Sequence, residues 1–447
     1  MNLALPSHQT QLGGMATQFD SGNSLKAKNS KGGKMKARFK GILLATLCVA
    51  TLGVITLACG IVLAAGPAPE TIKIGCTLPS TGRFAANGIE VKDGYEIAVD
   101  HINKAGGIMV KEFGKKIPVQ LIMYDDESDP VKAAARYEKM YSTDQVVAYL
   151  GSFSTVINTS LIAVAEKNKV PIVVSHFSHL APHRQGYKYL FSPFYKTTPD
   201  FPKVFDALND VPGVKGPRRV AIVMSRTEWP METAKVYRER IAQEKGRWEL
   251  VVDETYPLGS TDFSMIISKA KAARAEIWLS SPTPPEGIAM ARQMKELSYS
   301  PAYLNLTQAS SSRGWPGKEK EIGEYASALE NWVPGLKYPG NDRLIEDAKK
   351  RLGGQLPWCG VGTGYIDVQI LANGIEQAGT LDRTKIRDAL ARTEMMTVGG
   401  PVKARADGTM ENVVVLTQWQ KGRLLPVWPK ENAIAPFVYP MPAWDAR

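Results

Sequence analysis

The chain has 447 residues, of which 44% are hydrophobic, and it carries a formal net charge of +11 at neutral pH. Its length predicts two domains and an additional segment, because it exceeds what one ordinary hydrophobic core organises. Residues 1–65 hold seven Lys or Arg and one acid, a charge of +6, so the remaining residues carry only +5, which argues against nucleic-acid binding.

The N-terminal residues have the layout of an export segment. A basic stretch over residues 26–40 precedes an uncharged apolar run over residues 41–65, as in secretory signal peptides. An uncleaved membrane anchor is the alternative, because about 20 apolar residues span a bilayer, and Cys59 lies in an imperfect lipidation site. We interpret residues 1–65 as a disordered leader plus signal peptide or membrane anchor, and we expect a periplasmic location.

Beyond residue 70, short apolar runs alternate with amphipathic stretches, which is typical of parallel sheets covered by helices. The first series predicts strands at 72–78, 119–124, 146–150 and 170–174, with helices at 89–105, 131–141 and 155–168. The second predicts strands at 219–224, 248–252 and 275–279, with helices at 231–245 and 263–273. Helices at 341–352, 365–378 and 383–392 and strands at 412–418 and 424–428 follow. The predicted fold class is α/β, with two Rossmann-like lobes.

Candidate binding residues lie in the loops that follow the predicted strands. Ligands of open α/β sheets bind beyond the carboxyl ends of strands, and hydroxyl and N–H groups at a helix N-terminus suit a carboxylate. Trp229 follows the first strand of the second series and is a candidate ligand contact, with a surface or interlobe packing residue as the alternative. The candidates in the first series are Ser80, Phe84, Asn87, Ser152, Ser154, Thr155, His176, Phe177 and Ser178.

Three other features admit alternative interpretations. A metal site formed by His176, His179 and His183 would need helical spacing, which Pro182 interrupts. The glycines at 360, 362 and 364 resemble a dinucleotide-binding loop but follow no clear strand, which favours a flexible helix entry. A disulfide between Cys76 and Cys359 is compatible with export, and a buried thiol at Cys76 is the alternative.

The order of several short motifs resembles the periplasmic branched-chain amino-acid-binding (leucine/isoleucine/valine-binding) family, whose members have the type I periplasmic binding fold and serve ABC transporters. The resemblance covers residues 70–430. The motifs that carry it are residues 78–88, 259–263, 378–382, 386–390, 400–402, 406–408 and 418–422.

The resemblance implies two lobes with parallel sheets joined by a three-stranded hinge, with crossings near Phe194, residues 331–334 and residues 396–399. Lobe 1 then comprises 70–193 and 332–396, and lobe 2 comprises 194–331 and 397–447. Ser154, Thr155 and the segment 175–179 match family positions that hold a carboxylate and an ammonium group.

The expected function is that of a solute-binding protein of an ABC importer that closes on its ligand about the hinge. Asn87, His176 and Phe177 stand where many relatives have other residues, so an amino acid, an aromatic acid and a short amide all remain open. We expect a monomer that partners a membrane permease and is not an enzyme, with no cofactor, no metal and no nucleic acid. A ligand sensor or regulator coupled to a receptor is the alternative.

Overall fold

The computed structural model of the protein describes residues 66–213, 216–312 and 314–447, so the predicted export segment lies outside the described residues. In chain order the strands are β1 (Ile72–Leu78), β2 (Ile108–Val110), β3 (Lys115–Ile117), β4 (Val119–Asp125), β5 (Ala148–Leu150), β6 (Ile172–Val173), β7 (Leu190–Phe191), β8 (Arg218–Ser225), β9 (Trp248–Tyr256), β10 (Ile277–Ser280), β11 (Tyr303–Leu306), β12 (Ser327–Glu330), β13 (Glu394–Thr397), β14 (Gly400–Ala404), β15 (Met410–Glu411), β16 (Val415–Gln420) and β17 (Arg423–Trp428).

Helices separate most of the strands. They are α1 (Ala85–Lys104), α2 (Pro130–Lys139), α3 (Thr155–Asn168), α4 (Ala181–Arg184), α5 (Thr197–Asp200), α6 (Lys203–Asn209), α7 (Glu228–Gln243), α8 (Ser264–Ala272), α9 (Pro284–Glu296), α10 (Lys320–Gly323), α11 (Asn341–Arg351), α12 (Cys359–Ala378) and α13 (Arg383–Leu390). Within the part of the chain that the structure describes, none of these helices has both the length and the apolar character that a bilayer span requires.

Two sheets organise the molecule. The first has the strand order β4-β1-β5-β6-β7 and is parallel throughout. The second has the order β17-β16-β12-β11-β10-β8-β9, in which β8 to β12 are parallel and the last two strands are antiparallel. Strands β10, β11 and β12 are buried along their whole length, as parallel strands are when helices cover both faces. The predicted α/β class with two Rossmann-like lobes is confirmed.

Helices α1 and α12 pack closely because glycines lie in their contact. A Cβ atom at Gly94 would lie 2.2 Å from the carbonyl oxygen of Val361, and one at Gly364 would lie 2.7 Å from the carbonyl oxygen of Val91. Neither distance allows a side chain. Two backbones therefore approach each other at the core of the first lobe, which offsets the low helix propensity of glycine.

The interpretation of residues 360–364 as a flexible helix entry is wrong. These residues lie inside α12, which begins at Cys359 rather than at the predicted Tyr365. Gly362 lies against the indole of Trp332, where a Cβ atom would be 1.8 Å from Cδ2. Packing against neighbouring elements, rather than backbone flexibility, explains the repeated glycines.

Three connections join the lobes and meet at Asn331. The Oδ1 of Asn331 accepts a hydrogen bond from the N–H of Tyr195 at 2.8 Å. Its Nδ2 donates to the Oδ1 of Asn412 and to the carbonyl oxygen of Val413, each at 2.9 Å. The Nδ2 of Asn412 in turn donates to the carbonyl oxygen of Pro193 at 2.8 Å. One buried amide therefore ties the three connections of the hinge together.

The predicted third crossing near residues 396–399 lies in the segment between α13 and β16. Strands β13, β14 and β15 form a small antiparallel sheet of their own. Thr409 forms an isolated parallel bridge with Ser192, and the N–H of Ser192 donates to the carbonyl oxygen of Gly408 at 2.9 Å. The chain therefore stays beside β7 through this region and joins the second sheet at β16.

Candidate functional site

A cavity with an empty volume of about 530 Å³ is bounded by loops from both sheets. Its walls include the residues that follow β5, β6, β7, β8 and β11 and the last residue of β12, so it lies beyond the carboxyl ends of the strands. The lining residues are Asn87, Glu90, Phe153, Ser154, Thr155, His176, Ser178, Phe194, Tyr195, Trp229, Gln308, Ser311, Glu330, Cys359 and Gly360.

The N-terminus of α3 forms one wall. Ser154 occupies the N-cap position with φ +82°, and its side chain makes no capping hydrogen bond. Thr155, the first residue of the helix, is buried and also lines the cavity. The first N–H groups of a helix have no partner inside the helix, and its dipole favours negative charge there. This wall can therefore hold an anionic group.

His176 forms the adjacent wall as a neutral ring. Its centroid lies 4.7 Å from that of Phe153 and 4.9 Å from that of Phe194, and the planes are tilted by 42° and 46°, so the three rings form a continuous aromatic surface without parallel stacking. Nε2 of His176 is 2.9 Å from the Oγ1 of Thr363. Burial lowers the pKa of His176 to about 3, so the imidazole is uncharged at neutral pH and acts as a polar aromatic surface.

The second lobe contributes Trp229 and two polar residues. Trp229 is the second residue of α7, and its ring centroid lies 5.7 Å from that of Phe201. It therefore lines the cavity and packs within its own lobe at once. Gln308 follows β11 with φ +81°, a conformation that non-glycine residues adopt at a cost and that often marks a functional position. Ser311 lies three residues further on.

Two carboxyl groups line the part of the cavity next to the start of α12. Glu330 is 4% exposed and ends β12. Burial raises its pKa to about 8, although contacts with Ser311 and Cys359 lower it. Glu90 lies on α1, and its side chain lies against Gly360, where a Cβ atom would be 2.7 Å from that of Glu90. Glu330 is therefore largely protonated at neutral pH.

The chemistry available to these groups favours binding. Burial raises the pKa of the Cys359 thiol well above its ordinary value, so the thiol is protonated. The structure leaves Cys76 and Cys359 as buried, unbonded thiols, not as a disulfide. Over residues 66–213, 216–312 and 314–447, no group of three or more His, Cys, Asp or Glu is placed to hold a metal ion. Aromatic walls with polar groups at fixed points are typical of small-molecule sites.

Six of the ten predicted site residues line the cavity. They come from four separate elements of the sequence and from both lobes. These residues are Asn87, Ser154, Thr155, His176, Ser178 and Trp229.

The other four predicted residues lie outside the cavity, for reasons visible in their contacts. Ser80 is exposed, and its N–H donates to the Oδ1 of Asp125 at 3.0 Å. Phe84 and Phe177 are buried in the core of the first lobe. Ser152 is 1% exposed and turns its hydroxyl to the Oδ2 of Asp126 at 2.5 Å.

Most of the remaining lining residues escaped prediction. Gln308 follows β11, and Glu330 is the last residue of β12. Because ligands bind beyond the carboxyl ends of strands, recognising these two strands in the sequence would have identified both residues as candidates. The resemblance implies a lobe crossing near Phe194 but gives no binding role to this residue, which lines the cavity. No local signal marks Glu90 or Cys359, because both depend on the packing of α1 against α12.

The histidine cluster that suggested a metal site is divided by the fold. His176 faces the cavity, whereas the Nδ1 of His183 lies 2.9 Å from the carbonyl oxygen of Asp407. Burial lowers the pKa of His183 to about 3. The two rings therefore have separate surroundings.

Comparisons with known proteins agree with this architecture. A sequence model described as periplasmic binding protein matches residues 71–423. The Leu/Ile/Val-binding protein homolog 7 of Brucella abortus (strain 2308) is 24% identical over 393 residues, which cover 83% of this chain and 94% of that protein.

Solved structures share the fold. A branched-chain amino acid transporter substrate-binding protein from Streptococcus pneumoniae, in complex with isoleucine, has a TM-score of 0.68 and 20% identity and covers 79% of this chain and 98% of its own. A solute-binding protein of an ABC transporter from R. palustris, in complex with benzoate, has a TM-score of 0.66 and 16% identity, with coverage of 83% and 99%.

Proposed function

The chain belongs to the periplasmic binding protein family, as the resemblance in its motifs predicted, and we propose that it captures a small carboxylate-bearing solute, amino-acid-like or aromatic, outside the cytoplasm. The observation that supports this proposal is the cavity that strand-end loops of both sheets build, lined by the N-terminus of α3 and by aromatic rings. A solute in this cavity contacts both lobes, so its binding energy favours the closed arrangement.

The carboxylate is assigned to the N-terminus of α3. Ser154 leaves its hydroxyl outside the capping role, and Thr155 adds a second hydroxyl beside the first N–H groups of the helix. These groups replace the water around a carboxylate without a cationic side chain. Short amides, which carry no charge, fit this wall less well.

The body of the solute is assigned to the aromatic walls. Phe153, His176 and Phe194 form one surface of tilted rings in the first lobe and its connection, and Trp229 approaches from the second lobe. Flat or branched apolar groups bury well between such surfaces. The named relatives with isoleucine and benzoate illustrate these two shapes.

Closure is assigned to the three connections around Asn331. We place lobe 1 at 70–193 and 332–411 and lobe 2 at 194–331 and 412–447. This placement moves the third lobe crossing from the predicted position after residue 396 to the junction at Asn412. Rotation about this junction opens and closes the cavity. A membrane permease of an ABC importer is the proposed partner of the monomer, in keeping with the family.

A thermal-shift screen tests the proposal. Amino acids, aromatic acids and short amides are each added to the protein, and the unfolding temperature is followed. A true ligand at 100 times its dissociation constant stabilises the protein by about 2.7 kcal/mol. We expect stabilisation by at least one carboxylate, which is recovered chemically unchanged. Stabilisation by no carboxylate, or turnover of the bound solute, would contradict the proposal.

A further inference from the structure

The cavity that we propose as a carboxylate site has no cation in its lining. None of the described residues that line it is Lys or Arg, and the buried ring of His176 is uncharged at neutral pH. An anion that leaves water for such a place loses hydration, and the N–H groups of a helix carry only a partial positive charge in return. A buried ammonium group, that of Lys196, lies directly behind one wall of the cavity.

A single peptide unit separates the ammonium of Lys196 from the cavity. Its Nζ donates to the carbonyl oxygen of Phe177 and, at 2.6 Å, to the Oγ of Ser192. The carbonyl of Phe177 belongs to the peptide that continues into Ser178, and Ser178 lines the cavity. Because Lys196 is only 3% exposed, its charge acts on the cavity through the protein interior rather than through water.

The same loop adjoins the N-terminus of α3. Asn158, in the first turn of that helix, donates from Nδ2 to two carbonyl oxygens of the loop 175–178, each at 3.4 Å. On the other side of the loop, the N–H of Thr197 donates to the carbonyl oxygen of Ser178 at 3.1 Å. The loop is therefore held between α3 and the segment that contains Lys196, and the ammonium lies behind the place assigned to the carboxylate.

The charge of Lys196 depends on its surroundings. Burial lowers its pKa to about 7, although four carboxylates oppose this shift. The other titratable groups that act on it are Asp200, Asp367, Asp407, Glu232 and His183. Burial raises the pKa of Asp367 to about 7 and lowers that of His183 to about 3. An anion in the cavity favours the charged form of the lysine.

We propose that Lys196 is the counter-charge of the captured carboxylate, and that capture draws a proton from the solvent to its amine. Lys196 does not line the cavity, so it is a positioning residue that acts through the carbonyl of Phe177 and through its charge. This inference rests on the proposed function, because it concerns the charge of the same solute.

Proton uptake during titration calorimetry tests the inference. Benzoate and isoleucine are the probes, together with the carboxylate that stabilises the protein most in the screen. Each is titrated at about pH 7.5 in phosphate and in Tris, which release different heats on ionisation, so the difference in heat counts the protons taken up per solute. We expect uptake of a fraction of one proton by the wild type and none by Lys196→Met.

The pH dependence of affinity tests the role of the charge. Glu330 ionises in the same range in every variant, so its effect cancels in a ratio of affinities. The ratio of wild-type to Lys196→Met affinity should fall at least about threefold between about pH 6 and about pH 9, as the lysine loses its charge.

Two further variants complete the set. Lys196→Arg stays charged throughout, so its affinity relative to Lys196→Met should not change with pH, and it should take up no proton. Lys188→Met, which removes an exposed lysine, is the matched control and should behave like the wild type.

A lysine with a purely structural role would give a ratio that is the same at every pH. That result, or proton uptake that persists in Lys196→Met, would overturn the inference and leave solute capture intact. Failure of every carboxylate in the screen to bind would instead overturn the proposed function, and the inference with it.

Discussion

The Nδ2 of Asn331 donates a hydrogen bond to the Oδ1 of Asn412 at 2.9 Å, and this contact joins the second and third connections between the lobes. The same side chain accepts from the N–H of Tyr195 in the first connection. Asn331 is 4% exposed, so water cannot easily replace its partners. The hinge therefore has a fixed polar centre, next to Glu330 in the cavity.

Asn331→Ala should destabilise the protein by about 1–3 kcal/mol, because several buried groups lose their partner together. Urea unfolding followed by circular dichroism measures this loss. Gln377→Ala, an exposed position on α12, is the matched control and should change stability by less than about 0.5 kcal/mol. Equal effects of the two substitutions would show that Asn331 does not hold the connections together.

Gly94→Ala tests the close packing of α1 and α12. Helix propensity alone would stabilise this variant by about 1 kcal/mol. The new Cβ atom would lie 2.2 Å from the carbonyl oxygen of Val361, so we expect net destabilisation by about 1–3 kcal/mol. Gly314→Ala is the control, because its Cβ atom would meet its nearest neighbour, in Pro284, at 3.9 Å. A stabilised Gly94→Ala variant would contradict the packing described above.

Thr155→Val tests the carboxylate wall. The variant keeps the shape of the side chain and loses its hydroxyl, so affinity for a carboxylate solute should fall about tenfold or more, as expected for a hydrogen bond to a charged group. Thr159→Val, one turn further along α3, is the control, because that hydroxyl donates to the carbonyl oxygen of Thr155 at 2.8 Å. Titration calorimetry would contradict the assignment if both variants bound like the wild type.

Glu330→Gln tests the burial of that carboxyl through the pH dependence of stability. Burial raises the pKa of Glu330 to about 8 from its ordinary 4.5, so between these values the folded protein holds a proton that the unfolded chain releases. The stabilisation that the protonated carboxyl gives the folded protein is complete below pH 4.5. It is lost as the pH rises towards about 8. Glutamine does not ionise, so its stability has no such loss. When the pH is raised from about 5 to about 9, the free energy of unfolding of the variant should therefore increase by at least about 1 kcal/mol relative to that of the wild type.

Urea unfolding of both proteins at the two pH values measures this difference. The other buried titratable groups are common to both proteins and cancel in the comparison. A difference in stability that does not change with pH would show that Glu330 ionises as an exposed glutamate does.

The parts of the fold that follow from local pattern were predictable. Residues 155–168 were predicted as a helix, and α3 has these bounds, because its apolar positions recur with helical spacing between clear strands. Strands β11 and β12 were missed although they are as long as β10, because Asn305 interrupts the apolar run of β11 and β12 has only two apolar residues between Ser327 and Glu330. The start of α12 was missed because glycine propensity argues against a helix where tertiary packing requires one.

The candidate site likewise contains residues that local pattern predicts and residues that only tertiary packing brings together. Strand-end reasoning located Ser154 and Trp229, whose positions depend mainly on where an element begins. It placed Phe177 in the cavity although the core contains it, because the direction of a side chain depends on a turn in which the neighbouring His176 has φ +55°. Glu90 and Gly360 meet only through packing between distant segments, which one sequence does not reveal.

The most direct test is a crystal structure of the protein with the solute that stabilises it in the screen. We predict density for an unmodified solute between Phe194 and Trp229, with its carboxylate at the first turn of α3. A solute bound in the separate groove beside Trp358 and Trp419, with this cavity empty, would contradict the account.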